Sequence, residues 1–277
     1  MSDKKYSFGK NKNNKQVVIV IPTHRPNFSA DDEISLAHLN KYLYKYDTFF
    51  VIPNGISSKE IELRSYKVKK VDNIYFGTIR KYSNLLLDKK FYEMFINYNY
   101  MLVYQLDSLV LSDQLEEWIN SGYDYIAAPW FRPIIGYLSY KKGYPSSGGN
   151  GGFCLRNIQK CIKILDIVNK SATRTSKSLF IRKFWFILAV LTGKSHKIWL
   201  RSPALDYPYY EDGFWALEAP KYLDFKIAPF KIALQFAFER FPRKCFKLNH
   251  NKLPFGVHAW RRYDLEFWRK FIDLKGS

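Results

Sequence analysis

The chain alternates short apolar runs with segments whose apolar residues recur at helical spacing. The runs at 16–21, 48–52 and 100–106 have strand length and are rich in Val, Ile, Leu, Phe and Tyr, which is typical of strands buried on both faces. Segment 31–45 carries apolar residues at helical spacing and acids in its first turn, which predicts a helix. This alternation predicts an α/β fold with a mostly parallel sheet flanked by helices.

The later pattern extends this prediction. We expect a third strand at 71–76, a long helix at 78–98, a helix capped by Ser112 and another strand at 123–128. No internal repeat or Pro/Ser-rich linker interrupts the chain. The pattern therefore predicts one domain over residues 16–277, preceded by a disordered, Lys- and Asn-rich lead-in at 1–15.

The formal net charge of +19 favours anionic partners. Residues 170–205 hold eight Lys and Arg, no Asp or Glu, and the apolar run 184–191. This composition suits an anionic membrane surface, and the alternative is a buried helix with a basic end. The polar start of the chain and three cysteines without metal spacing predict a cytoplasmic protein. The segment 170–205 predicts that it lies peripherally at the inner face of the plasma membrane.

The most distinctive candidate residue is Asp107, which follows the apolar run 100–106. A carboxylate there lies at the sheet edge where α/β proteins bind ligands. Gln105 stands two positions earlier and so points to the same face. The pair suits a divalent cation that bridges a diphosphate. The alternative is that Asp107 caps the next helix or simply ends the strand.

Three further segments carry candidate chemistry. Residues 148–152 place four glycines around Asn150, which allows close backbone approach to a ligand or makes a flexible loop. Glu211 and Asp212 are adjacent acids that offer a general base or favour a helix start. His258 stands alone among apolar residues, as a metal ligand or as a core histidine.

Together these segments resemble a family of bacterial glycosyltransferases with the GT-A fold, often encoded in surface-polysaccharide loci. The similarity rests on Gln105-Leu106-Asp107 and on the segments 149–156, 211–215 and 255–260, which read GNGGFCLR, EDGFW and FGVHAW. The opening Ile-Pro-Thr at 21–23 and segment 123–130 fit the same pattern.

The resemblance implies roles for individual residues. Asp107 and His258 would hold Mn²⁺ or Mg²⁺, although Gln105 replaces the first acid of an Asp-x-Asp motif. Asp212 would be the catalytic base, and Glu211 would orient the acceptor. The nucleotide sugar would lie against Thr23, His24, Arg25, Asn54, Gln105 and Asp107, and the sugar pocket would include Trp130, Asn150, Gly151, Gly152 and Trp215.

The resulting hypothesis is a metal-assisted, inverting glycosyltransferase that moves a sugar from a nucleotide-diphosphate donor to a glycan or lipid-linked acceptor. It involves no nucleic acid. The alternatives are a basic nucleic-acid-binding protein, a retaining transferase of the same fold and an inactive scaffold. Neither the donor sugar nor the acceptor follows from the sequence.

Overall fold

The computed structural model describes residues 15–25, 27–132, 144–146, 149–173, 203–207 and 210–272. In chain order the strands are β1 (Lys15–Pro22), β2 (Asp47–Pro53), β3 (Lys67–Val71), β4 (Tyr98–Tyr104), β5 (Leu109–Val110), β6 (Tyr125–Ala127), β7 (Trp130–Arg132), β8 (Tyr144–Ser146), β9 (Phe153–Asn157), β10 (Ala237–Phe238) and β11 (Gly256–Val257). The α-helices are α1 (Ala30–Leu43), α2 (Lys59–Leu63), α3 (Ile79–Leu85), α4 (Lys89–Glu93), α5 (Leu115–Ile119), α6 (Ile158–Thr173), α7 (Glu211–Gly213), α8 (Phe230–Phe236), α9 (Pro242–Leu248) and α10 (Leu265–Trp268).

A six-stranded sheet in the order β3-β2-β1-β4-β9-β6 forms the centre of the molecule. Strands β3, β2, β1 and β4 run parallel, while β9 runs antiparallel to both β4 and β6. Buried apolar clusters cover both faces of this sheet. The predicted α/β fold with a mostly parallel sheet is confirmed.

A smaller sheet in the order β10-β11-β5 lies beyond the end of β4. Strand β11 pairs in parallel with β10 and antiparallel with β5, which follows β4 after a short turn. Its core includes the fully buried Trp260 and Trp268. This sheet brings residues from the last quarter of the chain to the turn after β4.

The predicted first helix is present as α1 and begins one residue earlier than expected. Ser29 caps it: its hydroxyl accepts from the Asp32 amide, and the Asp32 carboxylate accepts from the Ser29 amide. Such a reciprocal pair satisfies two amides that the first helical turn leaves open. The helix packs Leu36, Leu39 and Leu43 into the core.

Three predicted elements differ from the structure. The third strand lies at Lys67–Val71 rather than 71–76, because its three lysines suit an exposed edge strand, and Asp72 instead caps a 3₁₀ turn. The long helix at 78–98 is two short helices, since Asp88 caps α4 and starts a new helix. Ser112 does not cap α5, whose N-cap is Gln114; the Ser112 hydroxyl contacts the Gln114 side chain instead.

Two predicted segments fall mainly outside the described residues. Of the lead-in 1–15 only Lys15 is described, at the start of β1, and the basic segment 170–205 is described only at 170–173 and 203–205. Both predictions, and the single-domain prediction for 16–277, stay predictions. Among the helices within the described ranges, none combines the length and apolar character needed to span a bilayer.

Candidate active site

A cleft of about 750 Å³ opens where β1 and β4 end and β9 begins. Parallel strands β1 and β4 end at the same edge, and the reversed strand β9 starts there. The Gln105 amide donates to the Gly152 carbonyl at 2.8 Å, which ties the two segments together. The predicted site residues that line the cleft are Thr23, His24, Arg25, Gln105, Asp107, Asn150, Gly151, Gly152, Glu211, Asp212 and His258. This edge is the expected ligand edge of an α/β sheet.

His258 is the centre of a polar cluster on one wall of the cleft. Its Nε2 lies 3.1 Å from Gln105 Oε1 and 3.3 Å from Asp107 Oδ1. Its Nδ1 lies 3.4 Å from Glu239 Oε1, a separation longer than a good hydrogen bond. The small sheet sets this arrangement, because the His258 amide donates to the Phe238 carbonyl at 2.9 Å.

The two acids beside His258 control its charge. Burial disfavours the charged imidazole, but hydrogen bonds and charges from Asp107 and Glu239 outweigh burial and raise the pKa of His258 to about 9. In return, although desolvation acts in the opposite direction, His258 lowers the pKa of Asp107. The Asp107 carboxylate is therefore ionised at neutral pH, and its side chain remains 55% exposed to the cleft.

The glycine-rich segment is in contact with the acids of the site and is not a free loop. A Cβ on Gly152 would lie 2.1 Å from His258 Nε2, and a Cβ on Gly151 would lie 1.7 Å from Glu211 Oε1. Asn150 fixes the segment: its Oδ1 accepts from the Gly152 amide at 2.7 Å, and its Nδ2 donates to Glu239 Oε1 at 3.1 Å. Only glycine leaves room for this approach.

Glu211 takes part in a buried ion pair. Arg156 is completely buried and donates from Nη2 to Glu211 Oε2 at 2.7 Å and from Nη1 to the Tyr92 hydroxyl at 2.8 Å. Burial raises the pKa of Glu211 to about 7, against the opposing effect of Arg156. The guanidinium keeps its charge, and the Glu211 carboxyl beside it ionises near neutral pH.

Asp212 is the more accessible acid of the pair. Its Oδ1 accepts from the Gly213 amide at 2.8 Å. Burial raises the pKa of Asp212, with a further contribution from the charge of Glu239. A carboxylate that lines a cleft and has a raised pKa is a stronger base than an exposed one.

Three predicted site residues do not line the cleft. Asn54 is exposed in the turn after β2, where its amide donates to the Val71 carbonyl at 2.9 Å. Trp130 begins β7 and stands apart from the cleft walls. Trp215 is a core residue rather than a sugar contact, because its side chain is fully buried and its Nε1 donates to the Leu86 carbonyl.

The fold brings to the site several further residues that were not predicted from the sequence. Glu239 follows the apolar run 236–238 as Asp107 follows 100–106, so the same signal was present. Arg156 lay within the glycine-rich motif but had no assigned role. Tyr82, Arg240, Arg262 and Tyr263 also line the cleft, and no local pattern marks them.

The polar cluster around His258 fits a divalent cation held together with a ligand. Asp107 Oδ1, His258 Nε2 and Gln105 Oε1 converge, and Glu239 at Nδ1 is the outer partner that metal-bound histidines usually have. Within the described parts of the chain no three His, Cys, Asp or Glu side chains form a metal site. A cation held by Asp107 and His258 would need further oxygen ligands, such as those of a phosphate.

Comparison with known proteins identifies the family and supports the fold. The model of the family described as "Protein of unknown function (DUF5672)" matches residues 65–258, more than two thirds of the chain. No curated protein matches the chain by sequence. The galactosyltransferase LgtC, solved with donor and acceptor sugar analogs, is 16% identical with a TM-score of 0.51, over 94% of this chain and 95% of that one.

Two other glycosyltransferases are more distant in structure. GlyE of Streptococcus pneumoniae TIGR4 is 13% identical with a TM-score of 0.42, and the match covers 94% of this chain but only 61% of GlyE. Mouse xyloside xylosyltransferase 1 is 13% identical with a TM-score of 0.45, over 88% of this chain and 97% of that one. The similarity to LgtC confirms the GT-A-like fold.

Proposed function

This chain belongs to the DUF5672 family, and we propose that it is a glycosyltransferase. The proposed reaction moves a sugar from a nucleotide-diphosphate donor to a hydroxyl of a glycan or glycolipid acceptor, as in the synthesis of bacterial surface polysaccharides. One observation carries the proposal. The ligand edge of a GT-A-like sheet holds an accessible Asp107 beside His258, and the same cleft holds a second accessible acid, Asp212.

Asp107 and Asp212 suit two different tasks in this reaction, at the leaving diphosphate and at the acceptor hydroxyl. Breaking the bond to the diphosphate builds negative charge on its oxygens, and a divalent cation held by Asp107 and His258 would supply the neutralising charge. A metal competes with the proton on His258 Nε2, because only the neutral imidazole is a ligand. The charge of Glu239, 3.4 Å from Nδ1, favours the tautomer that keeps its proton on Nδ1 and leaves Nε2 free toward Asp107.

Asp212 is our candidate for the catalytic base. The acceptor hydroxyl is a poor nucleophile until a carboxylate takes its proton. Glu211 is less suited to this role, since Arg156 binds its carboxylate and Gly151 covers it. When one carboxylate assists direct attack by the acceptor hydroxyl and no covalent sugar intermediate forms, the configuration at the anomeric carbon is inverted. A retained anomer would instead favour the retaining alternative.

The Asp212→Asn variant tests this assignment. We expect donor binding to persist and turnover to fall by roughly 10²–10⁴, the usual contribution of a general base. Thermal shift with a panel of nucleotide sugars, with and without Mn²⁺, identifies the donor, because a specific ligand raises stability by mass action. Near-normal turnover in Asp212→Asn would contradict the role of this residue, and salt-sensitive binding to random duplex without any nucleotide-sugar binding would favour the nucleic-acid alternative.

We also propose that the protein works at the cytoplasmic face of the membrane, docked through residues 170–205. The support is compositional: eight basic residues and the apolar run 184–191 occur without a single acid. Vesicles containing anionic lipid should sediment the wild-type protein at low salt, and Trp185→Ser with Phe186→Ser should release it. Equal sedimentation with and without these changes would contradict the proposal.

A further inference from the structure

The cleft contains a pair of arginines to which the proposed mechanism gives no role. Arg240 directly follows Glu239, Arg262 lies in the turn after His258, and both line the cleft with Tyr263. The two guanidinium carbons lie 5.7 Å and 5.4 Å from the centroid of the Tyr263 ring. We call these three residues the arginine rim. One aromatic ring thus holds two like charges together at the cleft wall.

Arg262 differs from the other arginines near it in the fold. Three of them have carboxylate partners: Arg243 with Asp264 at 2.6 Å, Arg261 with Asp31 at 2.8 Å and Arg269 with Glu266 at 2.6 Å. No carboxylate of the described residues lies within 4.0 Å of the Arg262 guanidinium. Arg262 is also exposed, so its positive charge is available to a ligand.

The backbone places the arginine rim beside the cluster around His258. The amides of Arg262 and Tyr263 both donate to the Ala259 carbonyl, at 3.0 Å and 3.2 Å, which closes a tight turn. The amide of the buried Trp260 donates to the Asp107 carbonyl at 3.3 Å. The turn that carries Arg262 is thereby attached to the loop that carries Asp107.

A guanidinium recognises phosphate and carboxylate through two parallel hydrogen bonds. We propose that the arginine rim binds such an oxyanion group of the sugar substrate. Two sources share this chemistry: the diphosphate of the donor, and a phosphate or carboxylate on the acceptor. The oxyanion site stands on geometry alone, and only the identity of its carrier rests on the proposed function.

Calorimetric titration of the full chain with inorganic pyrophosphate tests the site, at fixed ionic strength and without added divalent metal. We expect Arg262→Gln to weaken binding about tenfold, the effect of losing a hydrogen bond to a charged group. Arg240→Gln should act in the same direction. Arg261→Gln removes an adjacent exposed arginine outside the cleft and should change nothing. Equal affinity in the wild type and Arg262→Gln, or equal losses in the Arg261 and Arg262 variants, would overturn the inference.

Two further titrations distinguish the sources. UDP represents the donor, and glucose 6-phosphate added to the UDP-saturated protein represents an anionic acceptor. A loss confined to the UDP titration in Arg262→Gln assigns the rim to the donor, and a loss confined to glucose 6-phosphate assigns it to the acceptor. Wild-type protein that binds none of the three probes would overturn the inference. Arg262-dependent pyrophosphate binding in a protein that binds no nucleotide sugar would keep the inference and reject the proposed function.

Discussion

Glu211 and Asp107 are two acids of one cleft in opposite environments. The Glu211 side chain is 5% exposed and bound to a completely buried guanidinium, whereas the Asp107 side chain is 55% exposed beside a histidine. Burial raises the pKa of Glu211 to about 7, while His258 lowers the pKa of Asp107 despite its desolvation. Glu211 therefore serves as a partner of Arg156 inside the core, whereas Asp107 remains charged and accessible to a ligand.

The difference shows why an acid in a cleft is not by itself a catalytic group. Removing one partner of a buried ion pair leaves the other charge without compensation in a poorly solvated site. Removing an exposed carboxylate leaves water in its place. Substitution of Glu211 or Arg156 should thus affect folding first, and substitution of Asp107 should affect activity alone.

The largest expected effect is the loss of activity in Asp107→Asn. The amide keeps the shape of the side chain but lacks the charge that a cation requires. A metal contribution of several kcal/mol to the transition state corresponds to a turnover loss of about 10³-fold. Turnover assays with and without Mn²⁺, together with urea denaturation, measure both quantities. Metal-stimulated activity in the variant, or full wild-type activity in chelator, would remove the basis for the exposed-acid role.

The next effect concerns stability at the buried pair. Arg156→Met should cost about 3–5 kcal/mol of unfolding free energy, because Glu211 is left buried without its partner and must either carry an uncompensated charge or take up a proton. The double variant Arg156→Met, Glu211→Gln should recover part of this loss, since no unpaired charge remains. Urea denaturation of the two single variants and the double variant gives the coupling. Strictly additive losses would show that the pair is not coupled, and the contrast with Asp107 would fail.

The sequence was sufficient to predict those features of the cleft that lie on a single strand and the residues next to it. The apolar run before Asp107 and the glycines before β9 both mark the ligand edge, because a buried strand leaves a local pattern. The predicted position of β3 was wrong for a related reason. Three of its five residues are lysines, so this edge strand has no apolar run that would mark it.

No local pattern in the sequence predicts the partner of Glu211, and only the family resemblance placed His258 beside Asp107. Arg156 and Glu211 are 55 residues apart, and Gln105, in the same turn as Asp107, is 153 residues from His258. These pairs depend on the antiparallel entry of β9 and on the small sheet of β5, β10 and β11, neither of which has a strong local signal. Trp215 was predicted as a sugar contact because the motif places it near Asp212, but the helical turn after Asp212 directs it into the core.

The smallest expected effect is a pH shift, and it tests whether Asp212 belongs with the exposed acid or the buried one. A general base must be ionised, so kcat/KM falls as pH decreases through the pKa of that base. Burial raises the pKa of Asp212, and the nearby Glu239 raises it further. This fall in kcat/KM, the acid limb of the pH profile, should therefore be centred above the pKa of an ordinary aspartate.

Glu239→Gln removes one negative charge and should move the acid limb to lower pH, even if the variant is slower overall. Glu266→Gln, which removes an exposed acid paired with Arg269, should leave the limb in place. The measurement is a profile of kcat/KM against pH for the three proteins. An unmoved limb in Glu239→Gln would mean that a different group titrates, and Asp212 would then lose its assignment as the base.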